Sequence, residues 1–433
     1  MEQGDEETLV SILYSSCERE ISLPKREFPT SPWVMLVAGS NGWDNYRHQA
    51  DVCHAYQIAH QNGIPDDQIV VMMYDDIAYN NNNPYPGKII NKPNGPDVYA
   101  GVPKDYIGED VTAENFLAAL KGDQSAVKKS GPKKVIASEG NDTIFVYLSD
   151  HGSTGLFSFP KSTLYAYDLI DTIVLMTTKK HFSKMVIYME SCHSGSMFTD
   201  LSGDFHVYAV TAARADENSY ACYEDTVRKT YLADEFSARW MDFIETNDSK
   251  NKTFRDQFSY LQETMKGSHS CRFGDMAIGD CPISVMLNNT PKTAHKKTNA
   301  EGLNLTHLTP SHEVPFKILE LRIKTESDEV KIQDLMGKYE ALHQTRAKIE
   351  RTVQGIRQHC CPGAVVEDGR GENFSRMDLH AFKSVAEHFR TTCFDWHKEE
   401  FQITLAYMDV FARLCVHGVK AERIIEVITS ISG

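Results

Sequence analysis

Apolar residues in the first 270 positions come in short runs. Trp33-Val-Met-Leu-Val-Ala38, Ile69–Tyr74, Thr143–Leu148, Met185–Met189 and Phe205–Ala212 are the clearest. Each is of strand length, rich in β-branched or aromatic residues and bounded by turn formers, which predicts five largely buried strands. Between them apolar positions recur at helical spacing. Arg47–His60 sets Ala50, Cys53, His54 and Ile58 on one face and stops at Asn62-Gly63, a helix C-terminal signal. Thr112–Leu120, Leu164–Phe182, 231–246 and 253–266 read likewise as helices. Strands alternating with helices predict a mostly parallel sheet with helices on both faces. Residues 268–312 lose periodicity and gather Gly, Asn, Thr and Pro. From 316 onward the pattern is helical, over Asp328–Gln358, Met377–Phe389, Glu400–Cys415 and Ala421–Ile431. The expected order is therefore a polar arm (1–30), an α/β domain (31–267), a linker (268–315) and an all-helical C-terminal domain (316–433).

Composition narrows the function. The chain has 433 residues with 41% hydrophobic and 24% charged content, which is ordinary for a soluble globular protein. No apolar run is long enough to predict a transmembrane helix. The net charge of -15 argues against nucleic acid or an anionic membrane as a partner. That charge is uneven: residues 311–433 hold 17 Lys/Arg against 19 Asp/Glu, and residues 1–310 hold 28 against 41. Ten cysteines without a C-x-x-C pair argue against a zinc ribbon or a thioredoxin motif, and no metal or cofactor is expected. Six N-x-[ST] sequons, at Asn141, Asn247, Asn251, Asn288, Asn304 and Asn373, point to a secretory route, as does the cluster Cys360, Cys361, Cys393 and Cys415. The acidic start Met1-Glu-Gln-Gly-Asp-Glu-Glu does not read as a signal peptide.

The chemistry gathers at two strand ends. Met185–Met189 stops at Glu190-Ser-Cys192-His-Ser-Gly195, and Thr143–Leu148 stops at Ser149-Asp-His151-Gly152. Open α/β sheets place chemistry at the carboxyl ends of their strands. Consecutive parallel strands are usually neighbours, so His151 and Cys192 should project from one edge toward one substrate. A cysteine attacks as its thiolate and needs a partner that takes its proton and later returns one to the leaving amine. Gly152 lets the backbone approach, and the N–H groups of Gly152 and Cys192 could form an oxyanion hole. Alternation along the strand sets Glu190 and Cys192 on one side. The competing reading is a buried structural cysteine beside a capping histidine. Ser153 and Ser194 lack a G-x-S-x-G elbow, and Gly39-Ser-Asn-Gly42 lacks the third glycine of a dinucleotide loop. His54 and His60 read as helix-face residues rather than a metal pair.

Four stretches together closely resemble the legumain family of asparaginyl endopeptidases: Ala38-Gly-Ser-Asn-Gly-Trp-Asp-Asn-Tyr-Arg-His-Gln-Ala-Asp51, Val71-Met-Met-Tyr-Asp-Asp76, Ser149-Asp-His-Gly-Ser-Thr-Gly155 and Glu190-Ser-Cys-His-Ser-Gly-Ser196. The resemblance runs from about residue 32 to the end, more weakly after 245; caspases are more distant relatives. It implies a caspase-like fold and cleavage after Asn, more slowly after Asp at acid pH, through a Cys thioester. It also implies a helical prodomain that covers the site until low pH and self-cleavage release it. Cys192 matches the nucleophile, His151 the acid/base and Asn45 the residue supporting that histidine. Arg47, His48, Glu190, Ser219 and Asp234 match the pocket for the substrate's Asn side chain. A carboxamide offers one acceptor oxygen and two donor hydrogens. Arg47 can donate to the oxygen, and Glu190 and Asp234 can accept from the NH2.

Implied partners are proteins and peptides with accessible Asn, the chain's own prodomain and cystatin-type inhibitors. The implied location is lysosomal, endosomal, vacuolar or secreted. A peptide ligase and a catalytically impaired binding homologue are the alternatives. Three departures stand out. His193 replaces an acidic residue common in the family and is expected at the crevice rim. The usual cleavage region around Leu321–Asp328 contains no Asn, which leaves Asp328, Asn304 and Asn299 as candidate activation sites. Cys393 and Cys415 match prodomain cysteines, but Ala381 and Ser432 stand where their partners are expected; Cys360 and Cys361 are the available substitutes, and four cysteines permit three pairings.

Overall fold

A computed structural model describes residues 32–129, 131–287, 303–362, 374 and 377–432. The arm expected over 1–30, Asn288, Asn299 and Asn373 lie outside these residues. All five predicted strands are present: β1 (Trp33–Ala38), β2 (Ile69–Met72), β3 (Thr143–Ser149), β4 (Lys184–Glu190) and β5 (Val207–Thr211). They run parallel in the order β5-β4-β3-β1-β2. Alternation along each strand feeds two cores. Val34, Leu36 and Ala38 face one, which α1 (Tyr46–Gln61) covers; Met35 and Val37 face the other, covered by α2 (Ala113–Leu120) and α3 (Ala166–Thr178). Thr112 caps α2 by accepting the Asn115 N–H at 3.1 Å.

Two expectations fail around residues 220–274. Residues 231–234 are not helical. An antiparallel hairpin of β6 (Tyr220–Asp225) and β7 (Thr230–Asp234) stands there, and α4 (Glu235–Thr246) starts only after Asp234. A five-residue apolar segment running into a helix carries too little periodicity to be separated from it. Residues 268–312 are not wholly irregular either. Beyond α5 (Phe254–Thr264), β8 (Cys271–Gly274) adds an antiparallel edge to β5, and Thr309–Pro310 pairs with β6. Both pieces are short and partly exposed, so no apolar run announces them. Leu164 and Tyr165, expected in a helix, belong to a short strand before α3. On the first core, Trp240 of α4 meets Tyr147 and Tyr188 edge-on at centroid distances of 5.2 and 5.6 Å. Such pairs add about 0.5–1.5 kcal/mol beyond their buried area.

The C-terminal part is helical as predicted: α6 (Val314–Thr325), α7 (Glu329–Cys360), α8 (Leu379–Thr392), α9 (Asp409–Val416) and α10 (Ala421–Ser432). The helix expected over Glu400–Cys415 divides into a 3-10 stretch, Glu399–Tyr407, and α9. Val353, Ile356, Phe389, Phe411 and Ile428 build a third core, which also takes in Leu156 and Tyr165 from the hairpin after His151. Lys383 reaches both oxygens of Asp168 at 2.8 Å, and Tyr165 donates to Glu387 at 2.7 Å. Cys393 Sγ lies 2.8 Å from Ser432 Oγ, so a serine stands where the resemblance expects the partner thiol.

Candidate active site

Register brings the strand ends level. Ala38 pairs with Ser149 and Ser149 with Glu190, so the loops after β1, β3 and β4 leave the sheet side by side. Asp150 donates its N–H to the Glu190 carbonyl at 3.0 Å. A Cβ on Gly152 would stand 2.8 Å from Ser191 Oγ and 2.9 Å from the Cys192 carbonyl oxygen. Only glycine fits between these loops.

His151, Gly152 and Cys192 line one cavity. His151 Nε2 is 2.7 Å from Asn45 Oδ1, and the Asn45 amide nitrogen donates to the Asn41 carbonyl at 3.0 Å. The second bond fixes the amide, so Nε2 carries the proton and Nδ1 is left as the base. Cys192 Sγ accepts the Ser219 N–H at 3.3 Å, with Ser219 Oγ at 3.6 Å. Burial raises the Cys192 thiol above its ordinary value, partly offset by Ser219. Burial, then the Arg47 charge, pushes His151 well below the usual imidazole range. The resting dyad is therefore a neutral thiol beside a neutral imidazole, poised for proton transfer during attack.

Arg47, Glu190 and Asp234, each at most 1% exposed, form a second group. Arg47 Nε donates to Asp234 Oδ1 at 2.9 Å. Glu190 Oε2 accepts from the Ser237 N–H at 2.9 Å and its hydroxyl at 2.8 Å. Three atoms are left over: Arg47 Nη2 meets no acceptor, and Glu190 Oε1 and Asp234 Oδ2 meet no N–H or hydroxyl donor. Buried polar atoms are normally paired, and each orphan costs about 1–3 kcal/mol. One free donor and two free acceptors are the complement of a carboxamide. The group is close enough to Cys192 for Arg47 and Glu190 to bias its thiol electrostatically.

His48 packs edge-on against His151 at a centroid distance of 4.9 Å. Its Nδ1 lies 2.7 Å from Ser40 Oγ and 3.1 Å from Asp150 Oδ1. Burial, then Arg47, keeps His48 well below the usual range, and burial drives Asp150 well above its own. His48, Asp150 and His151 bring ligand-type atoms within 4.8 Å of one another. One nitrogen of each histidine is already held, by Ser40 and by Asn45, and burial drives Asp150 toward its neutral acid, so the set fits hydrogen bonding better than a metal.

The structure thus brings together Cys192, His151, Asn45, Gly152, Arg47, His48, Glu190, Ser219 and Asp234. His193 is a correction. It is buried, with a left-handed φ of 54°, and its Nδ1 sits 3.0 Å from the Ala215 carbonyl instead of on the crevice rim. Sequence reasoning missed Asp150 and Asn218, and also the residues that close the cavity from the C-terminal part: His312, Pro315, Leu342 and Glu399 with Gln402, Ile403, Leu405 and Ala406. No local motif marks them; only a long-range contact could. Asn141, Asn251 and Asn304 are exposed, whereas the Asn247 amide already donates to the Phe243 carbonyl at 2.9 Å. Asp328 is exposed and caps α7 by accepting the Val330 N–H at 2.9 Å.

Residues 32–290 match the Peptidase C13 family. Legumain of Rattus norvegicus is 42% identical over 417 residues, covering 96% of each chain. Legumain of Homo sapiens is 43% identical over 384 residues, 88% of each chain. The vacuolar-processing enzyme beta-isozyme of Arabidopsis thaliana is 44% identical over 283 residues, 62% of this chain and 58% of that one.

Proposed function

The chain belongs to the Peptidase C13 family and is a cysteine endopeptidase, and from that premise we propose that it cleaves after asparagine and is made as an acid-activated zymogen. The observation that carries the specificity is the trio of buried, unpaired atoms, Arg47 Nη2, Glu190 Oε1 and Asp234 Oδ2. The substrate's side-chain oxygen accepts from Arg47, and its NH2 donates to Glu190 and Asp234. A side chain lacking either end leaves buried groups unpaired and is rejected. A protonated Asp side chain can imitate the amide, which accounts for slower cleavage after Asp at acid pH.

Cys192 is the nucleophile. His151 Nδ1 takes the thiol proton as sulfur attacks the carbonyl carbon, and the N–H groups of Gly152 and Cys192 receive the developing oxyanion. His151 then protonates the leaving amine. Water, deprotonated by the same nitrogen, opens the thioester and regenerates the thiol. Residues 316–433 act as an inhibitory prodomain over the catalytic domain, 31–267, joined through 268–315; the Glu399–Ala406 lining of the catalytic cavity supports this. Cleavage at Asp328, Asn304 or Asn299 releases it. An acidic lysosomal or vacuolar compartment fits this cycle. The test is hydrolysis of Ala-Ala-Asn and Ala-Ala-Asp fluorogenic peptides after acid treatment, with Cys192→Ala as control. Preference for Asn, abolished by the substitution, is expected. Turnover persisting in Cys192→Ala would sink the mechanism, and preference for Asp at every pH would sink the specificity.

A further inference from the structure

Residues 212–219, between β5 and β6, belong to no strand or helix, yet they carry the group that touches the Cys192 sulfur. On its inner side this loop is stitched to the loop of the nucleophile. His193 donates its N–H to the Glu217 carbonyl at 2.8 Å, and Gly195 donates to the Ala213 carbonyl at 3.0 Å. The His193 ring reaches the Ala215 carbonyl at 3.0 Å, and the Ser194 hydroxyl accepts the Ala213 N–H at 3.1 Å. A Cβ on Gly195 would stand 2.9 Å from the Ala215 nitrogen, so the two loops meet backbone to backbone. On its outer side the loop is tied down by the Glu217 carboxylate. Oε1 accepts the Arg214 N–H at 2.9 Å and the His269 N–H at 2.8 Å. Oε2 lies 3.1 Å from Arg214 Nη2 and 3.0 Å from His269 Nδ1. One side chain thus closes the loop on itself and fastens it to the segment leading into β8. A second tie, from the Ser268 hydroxyl to the Ala212 carbonyl at 2.7 Å, holds only the start of the loop.

We propose that Glu217 is a positioning residue for the nucleophile: its carboxylate pins the 212–219 loop so that the Ser219 N–H stays on the Cys192 sulfur and stabilises the thiolate formed when His151 takes the proton. The inference rests on reading Cys192 as the nucleophile. Only Asn218, which lines the catalytic cavity, separates Glu217 from Ser219, so a shift of one carries the other. The Ser219 N–H stands 3.3 Å from Sγ, with the hydroxyl oxygen at 3.6 Å. A donor on the sulfur favours its charged form over the neutral thiol. Arg47 and Glu190 act on the same sulfur from α1 and β4, elements that the Glu217 carboxylate does not hold. A carboxylate is the side chain suited to this place, because its two oxygens accept from two backbone N–H groups and two cationic side chains at once. Ser219 has one further hold, the Ser311 N–H on its carbonyl at 2.9 Å. That hold leaves with the cover when cleavage falls at Asn299 or Asn304, and Glu217 then keeps Ser219 in place without it.

The test uses the acid-activated full chain. Three quantities are measured: kcat and KM for Ala-Ala-Asn peptides, the melting temperature, and the rate at which iodoacetamide alkylates Cys192, read by peptide mass spectrometry at pH 5, 6 and 7. Glu217→Ala frees the loop, and kcat should fall about tenfold to a hundredfold while KM changes less. Alkylation of Cys192 should slow by only about threefold for each tenfold loss of thiolate, because a more basic sulfur is also the better nucleophile. Glu217→Gln keeps an oxygen for the Arg214 and His269 N–H groups, so it should restore most of both rates. A purely structural brace would lower the melting temperature and leave kcat and the alkylation rate of the folded enzyme at parent values; that result overturns the inference. So does Glu217→Gln proving as slow as Glu217→Ala. Should Glu217→Ala not melt cooperatively, Glu217→Asp decides, because it keeps the charge but falls one methylene short of its partners; unchanged kcat and alkylation overturn the inference. Turnover persisting in Cys192→Ala would instead sink the reading of the nucleophile, whatever the Glu217 variants do.

Discussion

At the scale of single residues, the site depends on groups whose replacements cannot be absorbed. Gly152→Ala would put a methyl carbon 2.8 Å from Ser191 Oγ and 2.9 Å from the Cys192 carbonyl oxygen. The β4 loop must then move and carry the nucleophile with it. Misplacing a reacting group by about 1 Å costs roughly a hundredfold in rate, so kcat/KM for an Asn peptide should fall by about that factor with the fold retained. Near-normal turnover would show that the loops are looser than these contacts imply. Arg47→Met tests a different quantity. It leaves Asp234 buried without its guanidinium partner, and breaking such a pair costs about 3–5 kcal/mol. The sign with pH follows from the direction of the shifts. Burial holds Asp234 and Glu190 above their ordinary values even with Arg47 present. An acid whose folded value is raised costs stability when ionised, and that cost is relieved as pH falls through the folded value. Urea unfolding of Arg47→Met should therefore show a larger deficit at pH 7 than at pH 5; an equal deficit at both would mean the carboxyls are already neutral.

Among the elements, what the sequence disclosed follows how much of each element is buried. β1, β3 and β4 are apolar runs buried on both faces, and they carry His151 and Cys192 at their ends; fold class and dyad were legible for the same reason. Ser219 immediately precedes β6, and Asp234 closes β7. Those strands belong to a small hairpin whose pattern merges with α4, so only family resemblance linked their residues to the site. Asp328 belongs to this scale too. It is exposed at the joint between α6 and α7 and caps α7 through the Val330 and Lys331 N–H groups. Asn caps a helix as well as Asp does. Asp328→Asn should thus leave α7 intact while presenting the preferred residue for self-cleavage. Mass spectrometry during acid treatment should find the fragment ending at residue 328 forming faster than in the parent. An unchanged rate, with product ends elsewhere, would move the activation bond to the 268–315 segment.

For the whole molecule, the question is what holds the C-terminal helices over the cavity. Among the described residues, two ion pairs cross the contact, Arg322 to Asp44 and Lys383 to Asp168, and Arg346 to Glu313 braces the cover from within. All are partly exposed, and such pairs are worth about 0–1 kcal/mol each. Their response to acid is not uniform. Burial tends to raise Glu313, but the Arg346 hydrogen bond and charge outweigh it, so its folded value lies below the ordinary 4.5. Its contribution is complete above pH 4.5 and is lost as pH falls through that lower value. Glu399 behaves oppositely. Burial, with Asp44 beside it, raises it above 4.5, so acid relieves a cost and tightens the cover. On falling pH the Glu313 brace therefore weakens while Glu399 tightens the cover. Arg322→Ala with Lys383→Ala removes both crossing pairs and up to about 2 kcal/mol, so the open fraction of uncleaved chain at pH 7 should rise by up to about thirtyfold. Peptide hydrolysis at pH 7, before any cleavage is detectable, measures that fraction. Raising the salt should move the parent enzyme the same way, by screening the same pairs. If neither change lifts activity at neutral pH, the hold lies instead in the apolar lining supplied by Leu342, Ile403 and Leu405, and acid would have to act by loosening the helical core itself.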